Sequence, residues 1–198
     1  MTKSNLSDAG TAGRLCITVP ADGAQCFFPL LQKGFVLGVS VGCPIRVLLR
    51  DGLGLTDEYI ETRLQTVFLD GKPVDDIDGA FIRDGETLAL APAMPGLMGA
   101  MLRRGGFYAP MRNGITHRDD AAPRWIGEGR ITMKLFGMAL RELGPKLLER
   151  GIEVDAADLA QIVRKLPGDR REGLGGMEGL EGQAAILLKV RVEPVKEA

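Results

Sequence analysis

Residue types and motifs that usually carry chemistry are scarce in this sequence. Its 198 residues include one histidine, three cysteines and only 5% aromatic residues. No CxxC, HxxxH or HExxH spacing occurs, so the sequence predicts no metal site, and an odd number of irregularly spaced cysteines predicts no disulfide framework. We therefore expect no metal and no cofactor, and a reducing, cytoplasmic setting is the simplest interpretation.

Nucleotide and membrane signals are also missing. No GxGxxG or GxxxxGK[ST] motif follows a predicted strand. The formal net charge of -1 provides no overall attraction for nucleic acid or an acidic membrane. The longest charge-free window, 87–102, is too short to span a bilayer and contains prolines and glycines. Residues 1–13 lack the apolar core of a secretory signal and are predicted to be a disordered lead-in.

The most informative stretch runs from residue 64 to residue 95. Gln65–Leu69 alternates polar and apolar residues, Asp70-Gly71 supplies a tight turn, and Lys72–Val74 begins a short return strand. Asp84-Gly85 then introduces a second strand over Thr87–Ala91. The pattern predicts strand, turn, short strand, loop, turn and strand.

Upstream of this stretch, the sequence predicts a hairpin and two short helices. Leu15–Val19 and Gln25–Leu31 are predicted to pair around a turn at 20–23, which would bring Cys16 near Cys26. The glycine-rich run 34–42 fits no element.

The first short helix is expected to begin at Pro44 and to end at Asp51-Gly52. Thr56, followed by Asp57 and Glu58, has the pattern of an N-cap for the second helix.

The stretches Phe68–Val74 and Asp84–Leu88 resemble the β-grasp family of ubiquitin and the bacterial sulfur-carrier proteins. The resemblance covers residues 14–106 and implies a β-grasp domain there. Carriers of this family end in Gly-Gly, and LRRGG, which ends at Gly105-Gly106, resembles such a tail. Because the chain continues for 92 residues beyond Gly106, carrier activity would require cleavage after that residue.

The second half of the chain predicts a small α/β unit. Residues 107–130 show no period and are predicted to be a long loop or linker. Residues 131–198 are predicted to contain two helices, at Met138–Arg150 and after an N-cap at Asp155, and strands at Ile131–Phe136 and Ala185–Val192. The class is therefore α+β. The last strand either pairs with the first sheet, which makes one domain, or belongs to a separate unit.

Two groups of residues are candidates for function. Methionine suits adaptable apolar contacts, so the segment after the β-grasp stretch is a candidate protein-interaction surface. Its residues are Met94, Leu97, Met98, Met101 and Leu102. Guanidinium groups beside aromatic rings suit anions, so the long loop is a candidate ligand site. Its residues are Arg112, His117, Arg118, Arg124 and Trp125.

Three functions fit these candidates. The first is a non-enzymatic protein-interaction module that presents the methionine-rich segment to a protein partner or to a second copy. The second is a sulfur-carrier-like protein that is activated at Gly106. The third is a ligand binder or enzyme that uses the loop 107–129, and it requires the loop side chains to converge on a pocket.

Overall fold

A computed structural model describes residues 13–20, 23–119, 121–123, 125–165 and 183–192. These residues form an eight-stranded mixed sheet with helices, which confirms the α+β class. The strands are β1 (Gly13–Val19), β2 (Phe35–Val41), β3 (Thr66–Leu69), β4 (Lys72–Pro73), β5 (Thr87–Ala91), β6 (Gly127–Leu135), β7 (Ile152–Asp155) and β8 (Ala185–Val192). The α-helices are α1 (Phe28–Lys33), α2 (Ile45–Val47), α3 (Asp57–Arg63), α4 (Gly96–Leu102), α5 (Gly137–Arg150) and α6 (Ala156–Lys165).

The sheet mixes strands from both halves of the chain. The spatial order is β1-β8-β7-β2-β6-β5-β3-β4. The pairs β1–β8 and β5–β6 are parallel, and the other adjacent pairs are antiparallel. The strand Ala185–Val192 therefore pairs with the first strand of the chain, so the two halves share one sheet.

One face of this sheet is covered by helices. In β1, β2 and β8, buried residues alternate with partly or fully exposed ones, apart from the terminal residues Gly13 and Val192, which are not buried. Helices α1 and α5 contact each other as well as the sheet, so they lie on the same face. Gly144 lets them approach closely, because a Cβ there would meet Leu31 and Phe28. The burial of alternate residues is what a sheet with one apolar face requires.

The central stretch folds as its turn residues predict. Strands β3 and β4 join through Asp70-Gly71, both with positive φ (47° and 76°). Asp70 Oδ1 also accepts a hydrogen bond of 2.7 Å from Thr87 N, which ties the turn to β5. Asparagine, aspartate and glycine tolerate this left-handed backbone better than other residues, which explains the DG signal.

Both predicted N-caps are confirmed. Thr56 Oγ1 accepts a hydrogen bond of 3.2 Å from Tyr59 N at the start of α3. Asp155 Oδ1 accepts one of 2.9 Å from Asp158 N at the start of α6. The expected helix from Pro44 is also present, as α2 continued by a π turn over Leu48–Gly52.

The predicted N-terminal hairpin is wrong. After β1, the described chain forms a 3-10 turn, Gly23–Phe27, and then α1. Phe27, Leu30 and Leu31 are buried at helical spacing, and a proline near a helix start favours helix, so the apolar run is not a strand. Cys16 therefore lies opposite Lys189 of β8 and not across a hairpin from Cys26.

Three further segments differ from the sequence prediction. The unassigned run 34–42 contains β2, whose buried alternate residues were obscured by an intervening valine and glycines. The four-residue strand β7 was not predicted. The loop 107–130 contains a 3-10 turn, Ala109–Arg112, and the start of β6, where glycine gives a weak strand signal and pairing with β2 decides the structure. The predicted lead-in at 1–13, apart from Gly13, lies outside the described residues. So do residues 168–182, whose sequence, rich in glycine and charged residues, predicts a flexible surface loop.

Candidate interaction surface

Helix α4 carries two of the predicted interaction residues on its outer side. The side chains of Leu97 and Met98 are 67% and 66% exposed, while Met101 and Leu102 are half-buried. Gly99 is the buried residue of this helix, and a Cβ there would collide with the carbonyl group of Met94. This close contact packs α4 on the residues just before it, while Leu97 and Met98 face solvent.

The chain after α4 adds more exposed apolar side chains. Phe107, Met111 and Ile115 are 89%, 73% and 59% exposed, and the 3-10 turn Ala109–Arg112 packs on α4. We call the exposed side chains of Leu97, Met98, Phe107, Met111 and Ile115 the α4 surface. Met111 and Ile115 cannot be recognised from the sequence, because single apolar residues in a stretch without a period give no signal.

The buried guanidinium of Arg112 fixes this segment. Its residue is 4% exposed, and its Nη1 and Nη2 donate to the two carboxylate oxygens of Asp75 at 3.0 and 2.6 Å. Nε donates to the carbonyl of Met101 at 2.6 Å. Nη2 also donates to Arg103 O, and Nη1 to Thr116 Oγ1. All five donors of an arginine are thus engaged within the protein.

The segment LRRGG is held on the body of the protein. Arg104 N donates to Gln65 O at 2.7 Å, and Gly105 N donates to Asp75 Oδ1 at 3.1 Å. The Arg104 guanidinium, 10% exposed, donates to Ile60 O and to Glu61 Oε2. Residues 103–106 close a turn through a hydrogen bond from Gly106 N to Arg103 O. The Gly-Gly pair is therefore part of a docked turn.

Glu61 links this turn to a wider charge network. Its carboxylate accepts hydrogen bonds from Arg46 at 2.7 Å and from Arg104 at 2.9 Å. The hydrogen bond from Arg46, together with the positive charge of Arg104, lowers the pKa of Glu61 below its usual value. Arg46 also donates to Asp78 at 2.6 Å, and these contacts raise its pKa. Because Glu61 is half exposed, the network contributes mainly to geometry and little to stability.

A buried carboxylate, that of Asp119, anchors the end of the segment. The side chain of Asp119, 6% exposed, accepts hydrogen bonds from Phe81 N at 2.8 Å and from Arg83 Nη2 at 2.5 Å. Its Oδ2 is also 3.2 Å from Nε2 of His117. Burial alone would raise the pKa of Asp119, but the bonds from Phe81, Arg83 and His117 outweigh burial and lower it.

The loop candidates for ligand binding are in different environments. Arg112 and His117 are bound to Asp75 and Asp119, Arg118 is exposed, and Trp125 is 62% exposed. Arg124 lies outside the described residues. A cavity of about 370 Å³ lies between α1 and α6, and none of these loop residues lines it. Ligand binding by the loop stays a prediction.

Within the described ranges, no group of three or more His, Cys, Asp or Glu residues is arranged to hold a metal ion. None of the helices formed by these residues is long and apolar enough to cross a membrane. No protein-family model matches the chain, and no curated protein or solved structure matches it significantly.

Proposed function

We propose that this protein is a non-enzymatic interaction module that binds a protein partner through the α4 surface. The observation that carries the proposal is the exposure of five large apolar side chains on a segment held by buried ionic contacts. Clusters of exposed apolar side chains on a rigid segment are typical of protein-binding sites. The Arg112–Asp75 bond and the Asp119 contacts hold the backbone of this segment at two points.

The rim of the α4 surface indicates the chemistry of the partner. Arg103 and Arg118 are both exposed, and they lie at the two ends of the segment that carries Phe107, Met111 and Ile115. A partner with an apolar centre and an acidic rim would match this pattern, because opposite charges at a rim guide association.

No disulfide joins Cys16, Cys26 and Cys43, which supports the proposal that the protein acts in a reducing, cytoplasmic setting.

We also propose that residues 35–135 form a β-grasp unit with a permuted strand order. Strands β2, β6, β5, β3 and β4 are neighbours, and the central pair β5–β6 is parallel. In a β-grasp, the first and last strands pair in parallel at the centre, and a helix follows the second strand. Here β6 takes the place of the first strand, and the helical segment α2–α3 follows β2. The proposed unit has other bounds than residues 14–106, because β6 lies beyond residue 106 and β1 pairs with β8.

The carrier function receives less support from the geometry. An activating enzyme would need Gly106 at the end of a free tail, whereas Arg104 and Gly105 are hydrogen-bonded to Gln65, Glu61 and Asp75. Cleavage after Gly106 would also separate β6 from β5, its parallel neighbour. Intact-mass measurement on protein from its native cells separates the two proposals, because only the carrier function requires a species that ends at Gly106.

The interaction proposal is tested with a double variant, Leu97→Ser with Met98→Ser. Both side chains are exposed, so the variant is expected to fold normally. Native mass spectrometry of the tagged protein from its own cells should show a stoichiometric complex with a different protein for the wild type, and no complex with that protein for the variant. Leu187→Ser, on the open sheet face, is the matched control and should keep the complex. An unchanged complex in the double variant, or no complex for the wild type, would overturn the proposal.

A further inference from the structure

Strand β1 lies at one edge of the sheet. In the part of the chain that the structure describes, β1 has a strand neighbour, β8, on one side only. Natural edge strands are usually shortened, or carry lysine, proline or bulges, because an open row of backbone groups attracts another strand. Strand β1 is seven residues long and has no proline, no lysine and one charge, Arg14. It therefore lacks the features that normally prevent pairing.

The opposite edge of the sheet is different. Strand β4 has two residues, and the carbonyl of Pro73 accepts a hydrogen bond of 2.8 Å from His117 N. The segment after α4 thus covers that edge. Head-to-tail addition of β1 to β4 of another copy would be blocked, so a growing filament is not expected. Pairing of β1 with itself is the arrangement that remains and closes after two copies.

We propose that β1 pairs antiparallel with β1 of a second copy, about a two-fold axis that passes through Cys16. Cys16 is the midpoint of the strand Gly13–Val19. In this register all seven residues are paired, and Arg14 lies opposite Thr18 of the other copy while Leu15 lies opposite Ile17. The two eight-stranded sheets then form one continuous sheet.

Burial and charge favour this register. Leu15, Ile17 and Val19 are buried, and Arg14, Cys16 and Thr18 are exposed, so an axis through residue 16 matches buried with buried and exposed with exposed. An axis through Arg14 would place two like charges opposite each other, which destabilises strand pairs. An axis through Leu15 or Ile17 would pair fewer residues. The strand is therefore self-complementary in one register.

Cysteine cross-linking tests the register directly. Residues opposite each other on antiparallel strands have Cα atoms about 4.5 to 5.5 Å apart, within the range a disulfide spans. Diamide, a thiol oxidant, takes up two hydrogen atoms as two Cys16 thiols form the bond. The full-length protein should give a reducible dimer of twice the 21.3 kDa chain mass. Cys16→Ser should abolish this dimer, and Cys26→Ser should retain it.

A charge variant tests the association without a covalent bond. Cys16→Lys, at an exposed position, places two lysines at the axis, so light scattering after gel filtration should show at least a tenfold weaker dimer. Leu187→Lys, on the adjacent strand, is the matched control and should leave the dimer unchanged. A wild-type protein that is monomeric at about 100 μM, a dimer that Cys16→Lys leaves intact, or no diamide dimer through Cys16 would overturn the proposal.

Discussion

The carboxylate of Asp75 and the guanidinium of Arg112 form a bidentate ion pair, with N–O distances of 2.6 and 3.0 Å. The two residues are 37 positions apart in the sequence. The same guanidinium binds the carbonyls of Met101 and Arg103, and the same carboxylate accepts from Gly105 N. One ion pair thus holds the end of α4 and the following turn on the body. The α4 surface has its shape because of this pair.

Arg112→Met should lower the free energy of unfolding by about 3 kcal/mol, because it leaves a partly buried carboxylate and two carbonyls without their donor. Arg112→Lys should not restore stability, since a lysine ammonium cannot reproduce the planar fork. Urea denaturation measures both. Arg118→Met, at an exposed site, is the control and should change stability by less than about 0.5 kcal/mol. Equal effects of Arg112→Met and Arg118→Met would contradict the role assigned to the pair.

Asp119→Asn should destabilise the protein by about 2 kcal/mol at neutral pH, because the charged hydrogen bond to Arg83 is lost. The pKa of Asp119 is lower in the folded state than its ordinary value of 3.8. The stabilisation that its charged form provides is therefore complete well above pH 3.8, and it is lost as the pH falls through the lowered pKa of the folded state. The stability difference between wild type and variant should therefore shrink below about pH 4. Thermal unfolding between pH 2.5 and 7 checks this, and a difference that is constant with pH would disagree with it.

Gly42→Ala should destabilise the protein by about 2 kcal/mol. Gly42 has a φ of +84°, and a Cβ there would collide with the backbone carbonyl of Trp125. Gly38→Ala, in the same stretch, is the matched control, because a Cβ at residue 38 meets nothing within 4 Å. We expect the control to be neutral or slightly stabilising. Similar denaturation midpoints for the two variants would refute this account of Gly42.

Thr56→Ala should cost about 1 kcal/mol, because it removes the hydroxyl that accepts from Tyr59 N at the start of α3. Thr62→Ala is the control in the same helix. The hydroxyl of Thr62 only donates to Glu58 O within the helix, so its loss should be nearly neutral. Chemical denaturation compares the two, and a Thr62 effect as large as that of Thr56 would argue against the cap.

Local chemistry made several elements predictable. The DG turn at Asp70-Gly71, the caps at Thr56 and Asp155, and the strand Ala185–Val192 all depend on residues close together in the chain. Strands β2 and β7 were not predicted, because a glycine-rich or very short segment has a weak local strand signal. They are strands chiefly because they pair with neighbouring strands of the sheet.

The sequence by itself determined the α+β class, most turns and caps, and the position of the methionine-rich segment, because these follow from backbone preferences over a few residues. The tertiary structure decided the rest. Strand β8 pairs with β1, and helix α1 forms where a hairpin strand was expected. Arg112 and His117 are largely buried, because they pair with Asp75 and Asp119. These outcomes depend on contacts between residues far apart in the chain, whose free energies exceed local preferences of about 1 kcal/mol or less per residue.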